Sequence, residues 1–182
     1  MLGVDAKRQK LDMKRLPIPQ RRIAVAILLP RRVLASYVFL TQEMLLLAGT
    51  MKARSRDVAG SRLFDIDFLS PDGEPVESFG ASPIRATGRL GTTSRHEVVI
   101  VPGQFAPEPA GEEEDPAFGA FLRERFAAGA TVVGLNGAVL LAKAGLLDGR
   151  SATGLSGEKA LFAQHFPAVR YTPAKRLVVD ER

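Results

Sequence analysis

The chain alternates short, nearly continuous apolar runs with longer stretches whose apolar residues recur every three or four positions. "RRIAVAILLP" is the first run, and it predicts a central parallel strand covered on both faces and stopped at Pro30. "VLASYVFLTQEMLLLAGT" has helical spacing, with Leu34 and Val38 in phase and Gly49 as the expected stop. In "SRLFDIDFLSPDG", Phe64, Ile66 and Phe68 alternate with Asp65 and Asp67, a strand ending in a Pro-Asp-Gly turn. "PVESFGASPIRATGRL" reads as short sheet pieces and turns, and "HEVVIVPGQF" as the next buried strand, closed by Pro102-Gly103. "APEPAGEEEDP" is a solvated loop ahead of the helix "AFGAFLRERFAAG", where negative charge suits the helix N-terminus. "ATVVGL" is a third buried strand, followed by a glycine turn and the short helix "AVLLAKAGLL". "DGRSAT" turns into a strand piece, "GEKALFAQHF" is a small helix, and "AVRYTP" and "RLVVDER" read as a late strand pair.

This alternation gives an α/β domain with a mainly parallel sheet. In such sheets the functional crevice lies beyond the carboxyl ends of the strands. Three loops leave those ends, at Pro30-Arg31, at Pro102-Gly103-Gln104 and at Gly134-Leu135-Asn136, and they are expected to converge. No helix able to cover the sheet follows "RLVVDER". Either a partner covers it or the polypeptide continues beyond Arg182.

Composition narrows the chemistry. The 182 residues suffice for one domain with a sizeable core, and no stretch of 18 apolar residues predicts a membrane span, so a cytoplasmic protein is expected. The absence of cysteine removes disulfides, thiolate chemistry and cysteine metal sites. His96 and His165 lack the HExxH spacing of a zinc hydrolase, and neither a metal nor a cofactor is implied. Residues 1–32 hold nine of the 25 Lys and Arg and two of the 20 Asp and Glu, so the net charge of +5 is concentrated at the start. Residues 1–20 therefore read as a basic flexible leader, or as an arm that contacts nucleic acid.

The turn "GLNG" raises the sharpest question. α/β enzymes often carry a nucleophile at such a strand-to-helix elbow, and here the tip reads Leu135-Asn136. Leu135 has no lone pair, and the Asn136 amide is a poor nucleophile. His96 begins a strand at the end away from the crevice and His165 lies on a peripheral helix, so neither is placed as a general base.

"GAVLLAKAGLLDGRSAT", with "FPAVRY" and "RLVVDE" after it and "VVIVPGQ" before it, resembles the ThiJ/PfpI superfamily. The resemblance is closest to the N-terminal domains of GlxA-like AraC-family transcription regulators and covers roughly residues 21–182. It implies a class I glutamine amidotransferase-like fold, a flavodoxin-like three-layer α/β sandwich. In enzymatic members a cysteine stands on the elbow, and its position matches Leu135, followed by Asn136. The strand-end glycine pair matches Gly103 and Gln104, and the acidic residue of the first helix matches Glu43. A Thr-His-Trp frequent in the regulators matches Gly154, Leu155 and Ser156, so the pattern departs at nucleophile and imidazole alike.

These matches make Glu43, Gly103, Gln104, Leu135 and Asn136 the candidate ligand-binding residues, with no catalytic residue. Backbone N–H groups around Gly103 and Asn136 suit a carboxylate, carbonyl or amide. The alternative is that Gly134 and Gly137 serve strand–helix packing alone, with Leu135 filling the vacated space. Phe118, Phe121 and Phe126 read as core or interface, and Tyr37 and Phe39 as candidates for a dimer contact. The expectation is a non-catalytic, ligand-sensing, homodimeric domain of an AraC-type regulator, with DNA read by a separate domain and no membrane contact. A stand-alone binding or structural protein, or a small-molecule hydrolase or hydratase, is the alternative.

Overall fold

The computed structural model describes residues 22–54, 63–91, 95–105 and 115–180. The leader and most of the acidic loop before the second helix lie outside these residues. β1 (Ile23–Leu28) is followed by α1 (Ala35–Arg54), β2 (Phe64–Ser70), the short strands β3 (Val76–Glu77), β4 (Pro83–Ile84) and β5 (Gly88–Arg89), and β6 (Val98–Pro102). α2 (Asp115–Ala127), β7 (Thr131–Leu135), α3 (Ala138–Lys143), β8 (Ser151–Ala152), α4 (Lys159–His165) and β9 (Arg170–Tyr171) complete the order.

Five strands form one parallel sheet in the order β5-β2-β1-β6-β7. The alternation of side chains along β1 divides the core. Val25, Ile27 and Leu29 join Val33, Val38, Phe68 and Ile100 on the α1 face. Ala26 and Leu28 join Val99, Val101, Phe118, Phe121, Leu122 and Leu140 on the α2/α3 face. The result is the flavodoxin-like three-layer sandwich expected. From β1 the chain runs outward to β2 and β5, then returns to β6 on the other side of β1. The helices that follow β1 and β6 therefore pack on opposite faces of the sheet, and the gap between these strand ends is a topological switch point, where such folds bind ligands.

Four expectations need correction. α1 does not stop at Gly49 but runs to Arg54. That glycine is there for proximity, since a Cβ on it would lie 3.3 Å from Leu63 Cβ. β7 is an edge strand rather than a buried one. Val132 packs into the α2/α3 core, so Val133 and Leu135 point to the other face, where they are 40% and 37% exposed. The segment "RLVVD" forms no strand with β9, which pairs in parallel with β8 instead. α3 ends at Lys143, and turns occupy the rest of the predicted helix.

Candidate functional site

The three loops do converge. Val33 bridges to Gln104, and Pro102 bridges to Asn136. The Leu34 N–H donates to Gly103 O at 3.0 Å, and the Phe105 N–H donates to Arg32 O at 3.0 Å. The β3–β4 turn joins them through the Phe79 N–H, which donates to Val33 O at 3.0 Å. The Gln104 side-chain amide is committed to Arg31 O at 3.1 Å. These bonds satisfy the backbone where the sheet ladder ends and make the strand-end loops one rigid rim.

At its centre stands Asn136, in left-handed conformation with φ +59°. Asparagine tolerates this region better than most residues, which accounts for its presence on the elbow. Its Nδ2 donates to the Tyr37 hydroxyl at 2.6 Å, tying the elbow to the first turns of α1. Gly103 fits beneath them because it has no side chain. A Cβ there would lie 2.9 Å from Asn136 Cβ and 3.2 Å from Tyr37 Cε2.

The elbow glycines answer to packing. A Cβ on Gly137 would lie 2.3 Å from Val101 O, and one on Gly134 would lie 2.8 Å from Leu141 Cδ1. Leu135, however, is no core filler, since more than a third of it is open to solvent. Of the candidates, Gly103, Gln104, Leu135 and Asn136 come together. Glu43 lies exposed on α1, six residues beyond Tyr37 and so about 9 Å farther along the helix. Tyr37 is the α1 residue that meets the elbow.

The rim also carries residues that sequence reasoning did not nominate. Phe79 and Phe105 stack with ring centroids 3.9 Å apart, and both are exposed. The Arg32 guanidinium sits 5.6 Å from the Phe105 ring centre. Arg32 and Ala81, with φ +57° each, join Asn136 as the non-glycine residues of positive φ among those described. All three lie in the converging loops, and such strain gathers at ligand clamps and active sites. The available signal was the pair Arg31-Arg32 directly after a strand-stopping proline.

The positions matched to Thr-His-Trp do other work. Tyr171 stacks on Phe162 at 4.0 Å, and its hydroxyl lies 2.8 Å from Glu158 Oε2 and 2.9 Å from Leu155 O. Burial, then the Glu158 carboxylate, pushes the phenol well above its ordinary range. A Cβ on Gly154 would lie 2.6 Å from that hydroxyl, so a larger residue there would have to displace it. His96 Nε2 lies 3.0 Å from Asp67 Oδ2, ahead of β6 and away from the elbow, while His165 ends α4 on the surface. A cavity of about 190 Å³ opens on the α2/α3 side of β7, with Phe126, Val132, Leu141, Arg150 and Arg176 in its wall. Among the described residues no cluster of His, Asp or Glu could hold a metal ion, and no helix is long and apolar enough to cross a membrane.

No protein-family model matches the chain. It is 37% identical over 86 residues to the HTH-type transcriptional regulator CdhR of Pseudomonas aeruginosa, a match spanning 47% of this chain and 25% of that regulator. Solved structures extend the likeness over most of the chain. A candidate transcriptional regulator from Vibrio parahaemolyticus superposes with a TM-score of 0.72 at 22% identity, covering 88% of this chain and 81% of its own. An AraC-family transcriptional regulator from Pseudomonas putida gives 0.66 at 23% identity, covering 84% and 77%. A ThiJ/PfpI family protein from Pseudomonas syringae gives 0.66 at 21% identity, covering 94% and 64%. The domain has the ThiJ/PfpI and DJ-1-type flavodoxin-like fold, which AraC-family and other transcription regulators share.

Proposed function

We propose that the chain is the ligand-sensing, dimerising and non-catalytic domain of an AraC-type transcription regulator, with DNA read by a separate domain. The elbow carries this reading. Its bend is retained at a cost in backbone strain, yet its tip offers a hydrocarbon, Leu135, and an amide, Asn136, that is bonded to Tyr37. The likeness to CdhR and to the AraC-family structure supports the regulatory assignment.

The proposed ligand is a small carboxylate or amide with an apolar body. Arg32 supplies a cation at the rim, and Phe79 and Phe105 supply an exposed aromatic wall. In this reading Gly103, Gln104, Leu135 and Asn136 form the floor of the binding crevice, and Glu43 is a more distant acceptor on α1. Binding would bias how two copies pair and so the spacing of attached DNA readers.

The test is a thermal-shift and calorimetric screen of the chain against small carboxylic acids and amides. A ligand at 100 times its dissociation constant stabilises by about 2.7 kcal/mol, or roughly 5–10 °C at this size. That shift should disappear in Arg32→Ala and Asn136→Leu. A shift unaffected by either substitution refutes the crevice. Turnover of methylglyoxal, isonitriles or small amides refutes the non-catalytic assignment.

A further inference from the structure

The cavity beside β7 combines an apolar side with a cationic one. Phe126 of α2, Val132 of β7, Leu141 of α3 and Leu146 and Leu147 of the turns after α3 form the apolar side of its roughly 190 Å³. Val132 packs toward it, whereas Val133 and Leu135 point to the other face of the sheet. β7 therefore stands between this cavity and the exposed side chain of Leu135. Arg150 and Arg176 line the cationic side, together with β8. The Arg150 guanidinium lies 5.6 Å from the Phe126 ring centre, which holds it over the apolar side.

This wall already receives a carboxylate, that of Asp180. Asp180 Oδ1 lies 3.6 Å from Arg150 Nη1, and Asp180 Oδ2 accepts from the Ser151 N–H at 3.3 Å. Both contacts are longer than the roughly 2.7–2.9 Å of a good charge-assisted bond. The two side chains are 30% and 38% exposed, so water screens the pair and holds it weakly. The segment carrying Asp180 is tied at its start, where the Thr153 hydroxyl donates to Lys175 O. Beyond that bond Leu177 and Val179 are 74% and 79% exposed.

We propose that this cavity binds a small organic monocarboxylate with an apolar body, whose carboxylate takes the place of Asp180. Its oxygens accept from the Arg150 guanidinium and the Ser151 N–H, the two donors that Asp180 uses, and Arg176 adds a second positive charge. Displacing Asp180 sacrifices only a long, screened contact, because a side chain more than a third open regains water. The apolar body lies against Phe126 and the leucines. An apolar cavity of about 150 Å³ takes up benzene, so this one admits a single ring or a branched chain of about six carbons. Arg150 and Arg176 disfavour a cation, and a second carboxylate would be buried unpaired against leucine. The site is separate from the crevice, and neither depends on the other.

The probes are benzoate and 3-methylbutyrate, titrated at millimolar concentration into the isotope-labelled chain and followed through its backbone amide resonances. Both should shift Ser151, Val132 and Gly134. Asp180→Ala should tighten benzoate binding about threefold to fivefold, the gain from removing a weak exposed competitor. Arg150→Ala should weaken it at least about tenfold. Benzyl alcohol, which has the ring without the carboxylate, should bind at least about tenfold more weakly than benzoate and should not respond to Asp180→Ala. The site is overturned if neither acid shifts Ser151, if Asp180→Ala leaves binding unchanged or weakens it, or if benzyl alcohol binds as well as benzoate. Shifts confined to Gly103 and Asn136 overturn it too, and place the acid in the crevice instead. If Arg150→Ala fails to fold, the exposed substitution at Asp180 and the alcohol decide.

Discussion

Substituting Asn136 separates its two roles, because alanine and glycine remove the same hydrogen bond but differ in backbone freedom. Asn136 holds φ at +59° and donates to the Tyr37 hydroxyl at 2.6 Å. Losing that bond should cost about 1 kcal/mol in either variant. Alanine must also be held in the left-handed region, adding about 1 kcal/mol. Glycine adopts that region freely, and the relief roughly offsets its greater entropy when unfolded. The expected losses are therefore about 2 kcal/mol for Asn136→Ala and about 1 kcal/mol for Asn136→Gly. Thermal midpoints should fall by roughly 4–8 °C and 2–4 °C respectively. Urea unfolding followed by circular dichroism reads both, and the variant pair Asn136→Gly with Tyr37→Phe completes a double-mutant cycle with an expected coupling of about 1 kcal/mol. Equal losses for alanine and glycine would refute the backbone argument. A coupling near zero would refute the bond to α1.

Two further substitutions probe the surrounding frame. Gly137→Ala should be the more severe: its φ of −97° and ψ of 25° suit alanine, so the 2.3 Å approach to Val101 O must be relieved by moving backbone. A loss of about 3 kcal/mol is expected, a fall of roughly 6–12 °C, and a change below about 0.5 kcal/mol would contradict the close packing of α3 on β6. Tyr171→Phe should cost about 1 kcal/mol at neutral pH through the lost bond to Glu158. Because the folded phenol titrates above its unfolded value, the tyrosine's contribution is complete below about pH 10 and is lost as pH rises through the folded value. The gap between wild type and variant in urea titrations should hence narrow only above about pH 10. A constant gap from pH 7 to 11 would argue against a half-buried phenol held neutral beside Glu158.

The central strand was legible because its environment leaves one composition possible. "IAVAIL" is apolar at every position, and β1 is the middle strand of the five, with core packed on both faces. "TVVGL" is also mostly apolar and yet forms the edge. A strand's place is fixed by what pairs with it, and its own residues carry little of that information. Gly49 misled for a similar reason, since its cause is the approach of Leu63 from another element. "RLVVD" has a strand's pattern, but β8 had already taken β9. At the crevice, the loops and the glycines could be read from turn chemistry. Tyr37 could not be assigned to the elbow, because 99 residues separate it from Asn136 and a hydroxyl leaves no periodic signal. The stack of Phe79 on Phe105 was hidden in the same way.

The elbow reaches α1 through one side-chain bond, and that bounds how strongly a ligand there could act on the proposed dimerisation. Tyr37 takes the Asn136 amide in the first turn of α1, a helix that runs from Ala35 to Arg54. A ligand that competes for the Asn136 amide would therefore act directly on α1. Coupling needs differential contacts in two states rather than mere adjacency. In the proposed sensor the bond between Tyr37 and Asn136 would be such a contact, made without ligand and broken by a ligand that competes for the amide. Its net worth of about 1 kcal/mol limits its own share of the coupling to roughly fivefold in the dimer constant. A larger effect of ligand on dimerisation would require the rim residues Arg32, Phe79 and Phe105 to move as well. They are bonded to the start of the α1 loop through Arg32 O and Val33 O, so a shift there reaches the helix through backbone rather than through one side chain.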